Sequence, residues 1–239
     1  FHLTSSPQAD LSARINLQHP VGHRPMNMNR RTFSTCLALA AMAAANAGAL
    51  TTPALAQSFD KDAFMKAPRI GDKTLGPEDA KVTIVEYASA TCPHCARFHT
   101  TVFPELKKEF IDTGKIRFIA REFPLDDLAL AAFMVARCVP DDKYFDMLSL
   151  LYEKQQTWAG QNARDELLKM AKLAGLGEAQ FDECLKNEDL AKGILEIRKD
   201  GADKYGVNAT PTFYINGKKM EGERDIEGFR KAIGEALES

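Results

Sequence analysis

The apolar positions of this chain fall into two rhythms. Val82 to Ala88 reads Val-Thr-Ile-Val-Glu-Tyr-Ala, a short β-branched run broken by Ser89 to Thr91, as in a buried strand. A helix is predicted to begin at Cys92, with Pro93 at its first position, where the missing N–H costs no hydrogen bond. Val102, Leu106 and Phe110 continue an i, i+4, i+8 stripe, Pro104 is expected to kink the helix, and Gly114 to end it. Ile116 to Arg121 is a second predicted strand, which completes the opening of a parallel βαβ unit. The rhythm then becomes helical throughout Leu128–Val139, Tyr144–Trp158, Asp165–Ala174, Glu178–Leu185 and Leu190–Lys204. Strand character returns at Thr212–Ile215. Asn216-Gly217 signals a two-residue hairpin, Lys218–Gly222 the return strand, and Phe229–Leu237 a closing helix. The pattern describes a small α/β domain whose two halves flank a helical insertion at about 127–200.

The N-terminal stretch follows a different logic. Asn29-Arg30-Arg31-Thr32-Phe33 precedes an apolar Ala/Leu/Met run from Leu37 to Leu50, and the small residues of Ala54-Leu55-Ala56 follow. Charge, apolar run and small-residue cleavage site form the order of a secretory signal, here at 26–56 with cleavage near Ala56. The paired arginines resemble a twin-arginine signal. Residues 1–25 fit neither signal nor domain, and Met26 or Met28 is the expected start. The domain then runs over 57–239, in the periplasm. Removing Arg14, Arg24, Arg30, Arg31 and Asp10 takes the formal net charge from -2 to -5. The Lys and Arg residues are scattered, so no nucleic-acid surface is expected.

Export changes how the cysteines are read. Of five, Cys36 leaves with the signal; Cys92, Cys95, Cys138 and Cys184 remain in an oxidising compartment. Cys92-Pro93-His94-Cys95 lies at a strand-to-helix junction. Disulfide exchange needs a thiolate, and the positive end of a helix with its free N–H groups supplies the stabilisation at Cys92. His94 can add charge or a hydrogen bond. Cys95, one turn on, is the more buried, resolving thiol. The pair itself carries the electrons, so no cofactor is implied. A zinc or copper site built from Cys92, Cys95, His94 and His99 is the rival, disfavoured because no second ligand pair exists. In Ala209-Thr210-Pro211-Thr212, a proline entering a strand invites a cis peptide. Such a bond would leave the Thr210 backbone beside Cys92 to pair with an extended substrate, with Pro93 bordering the same surface. Glu86, on the apolar strand six residues before Cys92, is placed to relay the proton of Cys95. Asn208 and Tyr87 are weaker candidates for the groove.

The run Glu86-Tyr87-Ala88-Ser89-Ala90-Thr91-Cys92-Pro93-His94-Cys95, with Phe118–Leu125 and Val207-Asn208-Ala209-Thr210-Pro211-Thr212, resembles the DsbA family of thiol–disulfide oxidoreductases over about Ile70 to Leu237. The resemblance implies a thioredoxin fold with an inserted helical domain. It implies that Cys92 takes the mixed disulfide, Cys95 resolves it, Pro211 is the cis proline and Glu86 the buried acid. It further implies that reduced exported proteins are substrates and that a DsbB-like or other membrane partner recycles the enzyme. Thr210 departs from the Val of better-studied members and leaves isomerase or reductase activity as the alternative. The segment Phe59–Pro68 is too short for a dimerisation stalk, so a monomer is expected. For Cys138 and Cys184 the choice is a bridge closing about 45 residues, worth up to about 4 kcal/mol, or two buried thiols. The compartment favours the bridge, and some DsbA-like proteins carry one there.

Overall fold

A computed structural model describes residues 59–239; the expected signal, its cleavage point and the upstream segment lie outside them. Five strands form one sheet in the order β1-β3-β2-β4-β5. Strands β2 (Val82–Ala88) and β3 (Ile116–Glu122) are parallel. Strand β1 (Lys73–Leu75) runs antiparallel to β3, β4 (Thr212–Ile215) antiparallel to β2, and β5 (Lys218–Lys219) antiparallel to β4. Every residue of β2 is buried, which is why its sequence reads as a continuous apolar run: a central strand is covered on both faces.

The two faces carry separate cores. Val82, Ile84 and Ala88 pack with Phe98, Phe103, Phe213 and Phe229 under α2 (Pro93–Thr101) and α10 (Ile226–Glu238). Val85 and Tyr87 pack instead with Phe64, Ile119, Phe123 and Ile197, on α1 (Lys61–Met65) and α9 (Glu188–Asp203). On α9, Gly201 lets the Tyr87 ring close in, for a Cβ there would sit 2.8 Å from Tyr87 Cε1. Strand alternation thus sends Glu86 and Tyr87 to opposite faces.

Between β3 and β4 come six α-helices: α4 (Asp127–Cys138), α5 (Tyr144–Glu153), α6 (Gln155–Trp158), α7 (Ala163–Leu173), α8 (Glu178–Leu185) and α9. The predicted single helix Tyr144–Trp158 is broken at Lys154, whose ψ of 17° turns the chain. The helix of the cysteine motif also differs from expectation. It stops at Thr101, and a new turn, α3 (Phe103–Leu106), starts with Pro104 near its N-terminus, where the absent N–H is tolerated. A wider turn over Lys107–Ile111 follows, closed by Asp112 N–H donating to Lys107 C=O at 2.8 Å. The Asn216-Gly217 hairpin has φ of 49° and 80°, the left-handed pair that a two-residue turn requires. The sequence reading omitted α1 and β1, and the return strand is only two residues long.

A disulfide joins Cys138, at the end of α4, to Cys184 in α8 across a sequence separation of 46. Changing both to Ala should lower unfolding free energy by about 2–4 kcal/mol, seen as an earlier urea midpoint. An unchanged midpoint would show that the bridge restrains nothing that the packing of α4 on α8 does not already hold.

Candidate functional site

Cys92 caps α2 with extended backbone (φ -77°, ψ 120°), and Pro93 occupies the first turn. The helix begins here because the Cys92 carbonyl already accepts from Ala96 N–H at 3.1 Å, while the strand has just ended. The loop between them is tied from three sides. Ser89 Oγ lies 3.2 Å from Thr91 Oγ1, and Thr91 donates to Asp126 Oδ2 at 2.8 Å. Asp126 in turn caps α4 by accepting from Ala129 N–H at 2.7 Å. From α6, the buried Gln155 donates its amide to the carbonyls of Ala90 (2.8 Å) and Cys92 (3.0 Å). The break at Lys154 therefore has a use, since it turns Gln155 onto the backbone of the thiol loop. No pattern in the sequence marked Gln155; a single polar residue at a helix start carries no such signal.

The two thiols are unbonded to each other and sit in contrasting surroundings. Cys92 is 5% exposed and Cys95 fully buried. The Cys92 Sγ–H donates to the Thr210 carbonyl at 3.3 Å. Hydrogen bonding from the Cys95 thiol lowers the Cys92 pKa to about 5 against the opposing effect of burial, aided by the backbone N–H groups of Cys95 and His94. For Cys95 the direction is opposite. Burial pushes it up, the hydrogen bond it gives to Cys92 adds to this, and the charge of Glu86 contributes further. One proton-poor and one proton-rich thiol thus stand side by side.

The Thr210–Pro211 peptide is cis. It places the Thr210 carbonyl against Cys92, and Thr212 Oγ1 donates back to Ala209 C=O at 2.7 Å, closing the turn. Beside it opens a groove of about 600 Å³, whose lining includes His94, Phe98, Val102, Thr210, Pro211 and Arg224. Both Pro93 and His94 are exposed, His94 being the one that lines the groove, and His94 Nδ1 lies 3.4 Å from Arg97 Nη2. Tyr87 is elsewhere, on the opposite face of the sheet, where Arg121 donates to its hydroxyl at 3.2 Å; the strand's two-residue period excludes it from the groove. Asn208 is exposed and does not line it.

Glu86 is on the α2 side of the sheet, near enough for its charge to bear on Cys95. Its Oε2 lies 2.8 Å from His99 Nε2, both side chains being almost wholly buried. In the sequence His99 stands out only as a ligand of the rival metal site; its partner on the strand is not legible there. Among the described residues no group of three or more His, Cys, Asp and Glu side chains is arranged to hold a metal ion. His99 faces Glu86, and His94 is at the surface.

Comparison with known proteins agrees with this geometry. The thioredoxin family model matches residues 69–235. A protein-disulfide oxidoreductase of Rickettsia conorii is 34% identical over 197 residues, 79% of this chain and 70% of its own. Disulfide bond formation protein D of Bacillus subtilis is 31% identical over 186 residues, covering 74% of this chain and 82% of that one. The crystal structure of α-DsbA1 from Wolbachia pipientis superposes with a TM-score of 0.68 at 30% identity, covering 74% of this chain and 97% of that one. The chain thus belongs to the thioredoxin family and is, within it, a DsbA-like protein-disulfide oxidoreductase.

Proposed function

We propose that this enzyme introduces disulfide bonds into proteins exported to the periplasm, with Cys92 exchanging and Cys95 resolving. A substrate thiolate attacks Cys92 Sγ of the oxidised pair, the Cys92–Cys95 bond breaks, and Cys95 leaves. A second substrate thiolate then attacks its partner's sulfur, and Cys92 leaves as a thiolate. Two electrons have passed to the enzyme, and a membrane-bound redox partner removes them. The dithiol carries the electrons, so no further cofactor takes part. The Thr210 backbone beside the cis Pro211, with Pro93 and His94 at the rim, aligns an extended substrate across Cys92. Glu86 exchanges the proton of Cys95. The monomer suffices, since all of these groups come from one chain. The export signal read at 26–56 and the two cysteine pairs support the compartment.

The observation that carries this reading is the asymmetry between the thiols. A thiol titrating near about 5 is ionised at pH 7. Relative to an ordinary thiol near ~8.5, this stabilises the folded reduced form by about 2 to 3 kcal/mol at pH 7. The folded value lies below the unfolded one. The stabilisation is therefore complete above the ordinary thiol range and disappears as pH falls through about 5. A stabilised reduced form makes the disulfide a strong oxidant.

Two readings on one sample test it. Thiolate absorbance near 240 nm should titrate with a midpoint near 5 in the reduced protein and vanish in Cys92→Ser. Equilibration with glutathione at pH 7 should give a potential near about -120 mV. A value near about -270 mV would assign the chain to reductive or isomerising exchange instead.

A further inference from the structure

Around Cys95 the fold buries three polar atoms that have no hydrogen-bond partner among the described residues: Glu86 Oε1, His99 Nδ1 and the Tyr152 hydroxyl. Unpaired buried polar atoms cost stability, and a cluster of them beside a reacting group calls for a reason. The geometry is specific. His99 projects from α2 one turn beyond Cys95, and its ring stacks on that of Tyr152 from α5, with centroids 4.2 Å apart and planes 17° from parallel. Phe98 and Phe103 close against its other sides. The ring is pinned so that Nε2 meets Glu86 Oε2 at 2.8 Å.

This arrangement selects the tautomer. A neutral imidazole has one N–H, and a carboxylate oxygen is the only partner that either ring nitrogen has among the described residues. With hydrogen on Nε2, the N–H is satisfied and Nδ1 is left as an acceptor. The opposite tautomer would strand an N–H in the core and set a lone pair against a carboxylate.

We propose that His99 is a positioning residue for disulfide exchange: its Nε2–H holds the buried Glu86 by Oε2 and turns Oε1 free to take the proton of Cys95. The proposal rests on the reading of Glu86 given above. During reoxidation, the Cys92 thiolate attacks a disulfide of the electron acceptor; that S–S bond breaks, one acceptor sulfur leaves as a thiolate, and the other stays bonded to Cys92. The Cys95 S–H bond then breaks, its proton passes to Glu86 Oε1, and the thiolate attacks Cys92 Sγ. The bond from Cys92 to the acceptor's sulfur breaks, and the acceptor departs as a thiolate. During substrate oxidation the proton returns from Glu86 to Cys95 as it leaves. The other ionisable groups facing this dyad are Tyr152 and Tyr144 from α5, whose hydroxyls burial keeps protonated. On β3, Glu122 shares the sheet face and is neutralised by Arg137 of α4. Opposite Glu86 on β4 is Phe213, which does not titrate.

The two thiols can be followed separately with 5,5′-dithiobis(2-nitrobenzoate), on protein with Cys92–Cys95 reduced and Cys138–Cys184 intact. The first burst of 412 nm absorbance reports attack by Cys92, and the second reports displacement by Cys95. His99→Leu should slow the second phase about a hundredfold at pH 7, the usual contribution of a positioned acid–base group, and displace its pH profile upward. His99→Gln, whose amide keeps an N–H toward Oε2, should restore the rate to within about threefold. Glu86→Gln should be as slow as His99→Leu, and the double variant no slower than Glu86→Gln. Where Leu at 99 does not fold, His99→Asn, too short to reach Oε2, replaces it. If Glu86→Gln is slow but His99→Leu is not, the role of His99 is overturned while that of Glu86 stands. If neither is slow, both fall. A slowed His99→Leu with an unmoved pH profile, or a His99→Gln that fails to recover, would make His99 a packing residue and overturn the proposal.

Discussion

Cys92→Ser should reduce disulfide transfer to the uncatalysed rate, while Cys95→Ala, given an external oxidant and a one-cysteine substrate, should stop as a mixed disulfide with it. The difference follows from where the fold puts the two sulfurs. Cys92 lies at the helix start, 5% exposed, against the carbonyl of Thr210, which itself lines the groove; Cys95 is wholly enclosed one turn deeper. An incoming thiolate can be aligned only with Cys92, so the covalent adduct forms there and nowhere else. Serine at 92 retains the shape but offers no sulfur to receive the adduct and no thiol titrating near 5. Alanine at 95 leaves that thiolate in place and removes the group that would expel the substrate. Nonreducing gels of Cys95→Ala, oxidised in the presence of a reduced one-cysteine peptide, should show the adduct, and peptide mapping should find it on Cys92. Turnover by Cys92→Ser, or adducts mapped to Cys138 or Cys184, would refute the assignment of roles.

Arg137→Met is expected to cost about 3–5 kcal/mol, although it lies at a distance from the thiols. Arg137, in α4, donates from Nε to Glu122 Oε1 at 2.6 Å and from Nη2 to Oε2 at 2.9 Å. The same guanidinium donates to the carbonyls of Ile70 (3.0 Å) and Gly71 (3.1 Å), and Tyr144 completes the carboxylate's shell at 3.0 Å. Both side chains are almost completely buried. The pair joins the first helix of the insertion to the end of β3 and to the segment before β1. Methionine fills the volume but leaves a buried carboxylate without its cation, and the desolvation penalty then has nothing to offset it. Adding Glu122→Leu to Arg137→Met should recover most of the loss, because the stranded charge is gone. Urea unfolding of the wild type and the two variants decides this. A loss below about 1 kcal/mol in the single variant would mean that Glu122 had found water or had taken up a proton.

Much of this protein was legible along the chain. The parallel β2 and β3 announce themselves as β-branched runs because a central strand must be apolar on both faces. Pro93 and Gly114 bracket the segment after the cysteines for backbone reasons that hold in any fold, and Asn216-Gly217 dictates its hairpin through positive φ. The insertion could be seen as a change of period. What failed locally has a common cause. Three-residue β1 is too short to carry a period, and it exists only because β3 offers it an edge. The break at Val102 falls where Pro104 predicts a kink in the helix, whereas that at Lys154 has no local mark in the sequence.

The site divides in the same way. The residue types and spacing of Cys92-Pro93-His94-Cys95 determined the chemistry, since a thiol at a helix start and another one turn later need no distant help to be recognised. Which groups surround them was decided by tertiary structure. The cis-proline loop reaches Cys92 from 118 residues away, Gln155 reaches its carbonyl from 63, and Glu86 meets His99 across a strand–helix interface. Periodicity tells which face a residue occupies, but not what stands opposite. Partners across an interface are chosen by the way whole elements pack, and no local pattern encodes that choice.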